Sequence, residues 1–393
     1  MIFERDKLDR AVEYIGRIRA GDDEQNEEGI LLRAFETEMS QLYPDSPEAL
    51  DSLNRAELVL YYRNHVAAGL SGEVEKNLRF LLGPDKLWQP GNRNEGPAQG
   101  LPDFGSPGWE GKIYKLQEYA AGVPSSFFIV LIGNMVTEEA LPNYKTALDK
   151  IAATGNMSGA DGTPWAEWSC GWTAEEDRHG SVLRDYLSYT GRADMVAVDK
   201  SIFSLLRNGF DPRIGLDPYK LFIYTSFQER ATKISHQNTG KVAARYGDPV
   251  LERICAAICG DESRHEAFYK NMMMQVFNSD PHGAMLALEA LLRSQVVMPA
   301  ELMEDGEPDL YKHFSMVAQK EGVYTTLDYV SIIEHVVEFW DVASRSVSGA
   351  AARAQEYICS LPERYCRTLV PRMERVLKKI ERRPYAWLHG ELV

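Results

Sequence analysis

Two stretches of this chain spell nearly the same word: TAEEDRHG from Thr173 to Gly180, and DESRHE from Asp261 to Glu266. On a helix, residues three apart share a face. Glu176 with His179, and Glu262 with His265, therefore each project a carboxylate and an imidazole toward one point. Around both stretches the period is helical. A Thr163-Pro164 start and Gly191 bound the first helix, and Asp248-Pro249 opens the second, which runs on to Phe277.

Two further segments read as long buried helices. One follows Pro124, SSFFIVLIGNMVTEEALPNYKTALDKI, and is apolar on nearly every side; the other runs from Pro218 to Gly247. Each carries an acid at a matching distance. Glu138 precedes Glu176 by 38 residues and Glu229 precedes Glu262 by 33, although in TEEAL either Glu138 or Glu139 meets the requirement. A lone Glu-x-x-His pair reads as a solvated helix face. Two copies, each preceded by a Glu in an apolar helix, are the ligand pattern of ferritin-like di-iron carboxylate bundles. Burying four carboxylates without cations would be costly. The fold expected is all-α: a ferritin-like di-iron four-helix bundle core within a larger helical domain.

Composition agrees with that reading. With 393 residues, 44% of them hydrophobic, the chain has enough apolar surface for a large core. Five cysteines form no zinc-like or disulfide framework, which points to a reducing compartment. A net charge of −15 argues against nucleic acid as a partner. The longest greasy run, Phe127 to Gly133, is too short to span a bilayer, so a soluble chain with no membrane span is expected. Residues 1–60 read as an acidic helical N-terminal extension with Leu8, Val12 and Ile15 on one face, and 61–393 as the ferritin-like domain; residues 91–110 are a Gly/Pro-rich connection. Later helices are expected over Gly283 to Gln295, Thr326 to Ser346 and Pro371 to Arg383, with almost no strand.

Longer motifs carry a resemblance. KLWQP, TEEALPNY, WTAEEDRHG, YTSFQERAT, DESRHE, MPAELMEDG, HFSMVAQKEGVYT, AQEYICSLP and PYAWLHGELV, in this order over about residues 64–393, are similar to the soluble acyl-carrier-protein desaturases of plant plastids and bacteria, the stearoyl-ACP desaturase family. The resemblance implies O2-dependent desaturation of a saturated acyl chain carried on acyl carrier protein, with two iron ions per chain and electrons from a ferredoxin-like donor. It implies a homodimer, and residence in a bacterial cytoplasm or in a plastid stroma after removal of a transit peptide. It assigns Glu138, Glu176 and His179 to one iron and Glu229, Glu262 and His265 to the other, with Glu176 and Glu262 bridging. Iron is preferred over zinc, which cannot supply electrons. Rival readings with the same ligands are a hydroxylase or oxidase of a carrier-bound acyl group, a non-catalytic ferritin-like iron binder and a radical-generating reductase subunit. Membrane desaturases, with histidine clusters on transmembrane scaffolds, are a poor fit.

The repeat also places Glu175 and Asp261 one position off the metal face. There each can accept a hydrogen bond from the distal nitrogen of the opposite histidine, or simply pair with Arg178 or Arg264. In the family the analogous electron route is Trp88, Asp261 and His179. Thr232 matches a hydroxyl beside the O2 site, with a bond back to its own helix as the plain alternative. His236, one turn further, reads as a core histidine. The acyl tunnel is expected to be lined by Ala147, Lys150, Ile151, Pro212, Leu221 and Phe222. Lys150 stands where the family has a smaller polar residue and Leu221 where it has glycine, so a narrowed tunnel preferring sixteen carbons or fewer is expected; the plain alternative is that Lys150 points to solvent and Leu221 packs between helices. Carrier docking is expected on a basic stripe of Arg372, Arg375, Lys379, Arg382 and Arg383, or on Lys76, Arg79 and Lys86; Lys312 replaces an acid near the carrier-facing loop.

Overall fold

A computed structural model describes residues 55–393, apart from 152, 154, 156, 157, 159, 295 and 297. Residues 1–54 of the extension expected at 1–60, and the expected helix end at Gln295, lie outside the described residues. In chain order the helices are α1 (Arg55–Gly69), α2 (Ser71–Asn77), α3 (Trp109–Ala121), α4 (Ser125–Glu138), α5 (Leu141–Asp149), α6 (Pro164–Thr190) and α7 (Met195–Asn208). There follow α8 (Pro218–Arg245), α9 (Pro249–Ser279), α10 (Pro281–Ser294), α11 (Leu310–Lys320), α12 (Thr326–Phe339) and α13 (Gly349–Leu377). Among the described residues the only strands are β1 (Pro384–Tyr385) and β2 (Glu391–Leu392), an antiparallel hairpin pairing Pro384 with Leu392. No single described helix is long and apolar enough to cross a membrane.

Local chemistry starts the central helices. Thr163, Asp217 and Asp248 each cap a helix whose next residue is proline. Their side-chain oxygens accept from Ala166 N, from Tyr219 and Lys220 N, and from Val250 and Leu251 N. Proline at the first helical position loses nothing, because its missing N–H would have had no partner there. Gly191, at φ 67°, ends α6 in the left-handed conformation.

Helix α4 packs on α6, α6 on α9, and α9 along the length of α8. Its run from Phe127 to Ile132 has no solvent exposure, which is why the segment is apolar all round. The helix expected to continue through residue 151 is broken after Glu138. Pro142 cannot donate to the Glu138 carbonyl, so α5 restarts at Leu141, and Tyr144 Oη donates to the Thr137 carbonyl. Gly133 lets α11 approach α4: a β-carbon there would stand 2.0 Å from the Phe314 ring.

Two later expectations need correction. The segment expected as a helix from Pro371 to Arg383 is the end of α13, which begins at Gly349, passes through Pro362 and Pro371 and stops at Leu377. Only Ala351, Ala354, Ile358 and Leu361 of α13 are buried, so its second half lies at the surface, where water can take the carbonyls that proline leaves free. The helix expected to reach Ser346 ends at Phe339, with a short 3₁₀ turn at Val342–Ser344.

Candidate metal centre

Four helices deliver the polar cluster into the apolar interior. Glu138 ends α4, Glu176 and His179 sit mid-α6, Glu229 lies on α8, and Glu262 and His265 on α9. All six are buried. Ligand-capable atoms of Glu138, Glu176, His179 and Glu262 lie within 4.8 Å of one another, and so do those of Glu176, Glu229, Glu262 and His265. Glu176 and Glu262 belong to both groups. Nδ1 of His179 is 3.1 Å from Glu176 Oε2 and 3.6 Å from Glu262 Oε1; Nδ1 of His265 is 2.6 Å from Glu176 Oε1. The tertiary structure also chooses between the adjacent acids. Glu139 faces Arg184, whose Nε donates to it at 2.9 Å, while Glu138 joins the cluster.

The electrostatics show a site short of positive charge. Burial alone would lower His179 and His265, yet Glu176 and the neighbouring carboxylates raise both well above the ordinary imidazole value. Burial, reinforced by the charges on Glu176, Glu229 and Glu138, pushes Glu262 well above the carboxylate range. Although Nδ1 of His265 lies 2.6 Å from Glu176 Oε1, those two atoms, Glu262 Oε1 and His179 Nδ1 are all buried without a well-directed hydrogen bond. Buried polar atoms are rarely left so. Four carboxylates and two imidazoles converging with orphaned inward atoms suit two divalent cations of the first transition row.

Each histidine is held from behind by the opposite helix's acid. Asp261 Oδ2 lies 3.1 Å from Nε2 of His179, and Glu175 Oε2 lies 3.2 Å from Nε2 of His265. Because both carboxylates accept only, both imidazoles carry hydrogen on Nε2, which leaves Nδ1 as the nitrogen that faces the cluster and would take a metal in place of a proton. The arginine pairing coexists with this arrangement: Asp261 also takes Arg178 Nη2 at 2.9 Å, and Glu175 takes Arg264 and the Leu82 amide. Burial alone would raise the Asp261 carboxyl, but His179 and the arginines bring it down to about 2. Trp88 Nε1 donates to Asp261 Oδ2 at 2.9 Å, and its ring stacks on His179 at 6.3 Å, so a half-buried indole connects to the centre.

Beside the cluster runs a cavity of about 70 Å³ whose lining includes Glu138, Glu176, Glu229, Glu262 and Thr232 at one side and Ala147, Pro212 and Leu221 at the other. Three expected lining residues are elsewhere. Lys150 is exposed, Ile151 is packed in the core, and Phe222 stacks on Trp165. The turn after α4 rotates α5 so that Tyr144, Ala147 and Leu148 are the residues it contributes to the cavity lining. Thr232 Oγ1 donates to the carbonyls of Gln228 and Glu229 on its own helix. A second cavity of about 280 Å³ shares Gln228 with the first and is walled by α11, α12 and the Tyr365, Leu369 and Met373 side of α13.

Arg372, Arg375, Lys379, Arg382 and Lys312 are exposed, as are Lys76 and Lys86. Arg383 is not part of that stripe: it is buried, with both oxygens of Asp305 on its Nη2 at 2.6 and 2.8 Å. Two residues outside the expected ligand set touch the cluster: Trp172, to which the sequence assigned no role, and His236, which is the core histidine expected. Trp172 Nε1 donates to Glu229 Oε1 at 3.0 Å, and His236 Nε2 meets Glu138 Oε1 at 2.8 Å. Their signal was spacing: Trp172 is four residues before Glu176 and His236 seven after Glu229, both on a metal-facing stripe.

Comparison with known proteins completes the picture. Residues 62–389 match the family described as fatty acid desaturase. Stearoyl-[acyl-carrier-protein] 9-desaturase of Olea europaea, named chloroplastic, is 43% identical over 331 residues, covering 84% of this chain and 83% of the relative. A chloroplastic acyl-[acyl-carrier-protein] desaturase of Cucumis sativus is 44% identical, with 81% and 80% covered. An acyl-[acyl-carrier-protein] 6-desaturase of Thunbergia alata is 39% identical, with 91% and 87% covered.

Proposed function

The chain belongs to the fatty acid desaturase family, and on that footing we propose that it is an acyl-[acyl-carrier-protein] desaturase with a di-iron centre and a ferredoxin-like electron donor. The observation that carries the reading is the pair of carboxylate-imidazole clusters sharing Glu176 and Glu262 along one wall of a cavity. Two irons, when bound and reduced, supply the O2 activation that removing hydrogens from an unactivated methylene demands. Glu138 and His179 would hold one ion, Glu229 and His265 the other, and Glu176 and Glu262 both.

The protein's own residues do the rest. Asp261 and Glu175 fix the imidazole tautomer and orientation, so that no ligand must reorganise before binding metal. Leu148, Phe210, Pro212, Ile214 and Leu221 offer an acyl chain an apolar wall and keep water from the centre. Trp88 and Asp261 supply a bonded route toward His179 for electrons from outside. The larger cavity beyond Gln228 is the path by which a chain tethered to an acidic carrier reaches the centre, past the exposed Arg372 and Arg375 of α13, Lys379 just after it and Lys312 of α11. The test is product analysis with acyl-ACP, O2, ferredoxin and NADPH-driven reduction. A monounsaturated acyl product is expected; a hydroxylated product, or none from iron-loaded protein, overturns the reading.

A further inference from the structure

The two outer carboxylates of the cluster are held by different ring donors. Glu229 presents Oε2 to the centre, 3.6 Å from His265 Nδ1, while its Oε1 takes Trp172 Nε1–H at 3.0 Å. Glu138 presents Oε2, 3.8 Å from His179 Nδ1, while its Oε1 lies 2.8 Å from His236 Nε2. The arrangement is the same on both sides, yet the donors are an indole and an imidazole. Trp172 and His236 are themselves buried, so neither bond competes with water.

We propose that His236 and Trp172 are a pair of positioning residues, each holding the outer oxygen of one terminal carboxylate so that the other oxygen faces the metal, and that they make the two metal positions unequal. Ionised Glu138 only accepts, so His236 donates from Nε2, and its Nδ1 has no hydrogen-bond partner. An indole N–H has no other state. The indole donates from a rigid bicycle through its single N–H, the imidazole from a smaller ring with a second, unpartnered nitrogen, so the Glu138 and Glu229 carboxylates are held by unlike donors. Partners behind ligands of this kind typically change metal affinity by about 10–100-fold when removed.

The inference rests on the two-iron reading, and the experiment separates them. Wild type, His236→Phe, His236→Gln and Trp172→Phe are loaded with ⁵⁷Fe(II), and the bound iron is followed by Mössbauer spectroscopy and by competition with a chelator. Wild type is expected to bind two irons with two distinguishable ferrous environments. His236→Phe should weaken one site by about 10–100-fold and shift one environment only, Trp172→Phe should shift the other, and His236→Gln, which keeps an amide donor, should return toward wild type. Circular dichroism and thermal unfolding show that each variant is folded. Wild type binding fewer than two irons overturns the two-iron reading and this inference with it. Two irons in wild type, with folded variants that leave both environments and both affinities unchanged, or that change both sites alike, overturn the inference alone.

Discussion

Removing the Leu221 side chain should lengthen the acyl chain that the enzyme accepts. Leu221 lines the cavity and is 3% exposed. It precedes Glu229 by eight residues on α8, about 12 Å along the helix axis at ~1.5 Å per residue, so it lies at the far end from the metal cluster. Lys150, expected to narrow the same tunnel, is exposed and takes no part, so the prediction rests on Leu221 alone. C18 carries two more methylenes than C16. At about 0.8 kcal/mol per buried CH₂, admitting both is worth about 1.6 kcal/mol, roughly fifteen-fold in the C18 to C16 ratio of kcat/KM. Leu221→Gly opens the most space but costs about 2–5 kcal/mol for the lost packing and about 1 more for glycine inside a helix, a large share of a typical domain's stability. Leu221→Ala is the gentler companion. The assay is competition among C14, C16 and C18 acyl-ACP, with mass spectrometry of the products. Wild type should favour sixteen carbons or fewer, and both variants should raise the share of C18. A wild type that already prefers C18, or folded, iron-loaded variants whose C18 to C16 ratio stays put, would refute the reasoning.

Glu176→Ala removes a carboxylate common to both clusters, so metal analysis should find both irons lost, whereas His265→Ala should first empty one site; full activity with less than one iron per chain contradicts the centre. Reversing charge at Arg372, Arg375 and Lys379 together should raise KM for acyl-ACP by about tenfold and flatten its salt dependence, since each exposed contact is worth about 0.2–1 kcal/mol; unchanged kinetics across salt concentrations would exclude this docking face. Tyr186→Phe takes a hydrogen bond from Asp248, the buried cap of α9, and should lower unfolding free energy by about 1–3 kcal/mol in denaturant melts while leaving iron content unchanged; an unshifted midpoint would show that the cap does not need the tyrosine.

What the chain declares locally, it declares well. A capping side chain followed by proline starts α6, α8 and α9 through hydrogen bonds reaching two or three residues, and the spacing of Glu176 with His179 and of Glu262 with His265 sets a common face because helix geometry repeats every 3.6 residues. Even the exchange of Asp261 and Glu175 between histidines follows from the symmetry of two like words. The choice of Glu138 over Glu139 needed more. It came from the break that Pro142 forces and from Arg184 across the α4–α6 contact, 45 residues from its partner. Lys150 is exposed because the same break turns α5, and α13 runs through two prolines because its second half is solvated rather than packed. His236 on Glu138 and Trp172 on Glu229 join residues 98 and 57 apart in sequence. Hydrogen bonds within a helix depend on neighbours in the chain, so sequence by itself determined the starts of α6, α8 and α9 and their metal-facing stripes. Contacts between helices depend on how far each rotates and slides as its apolar face is buried, and only the packed tertiary structure decided those.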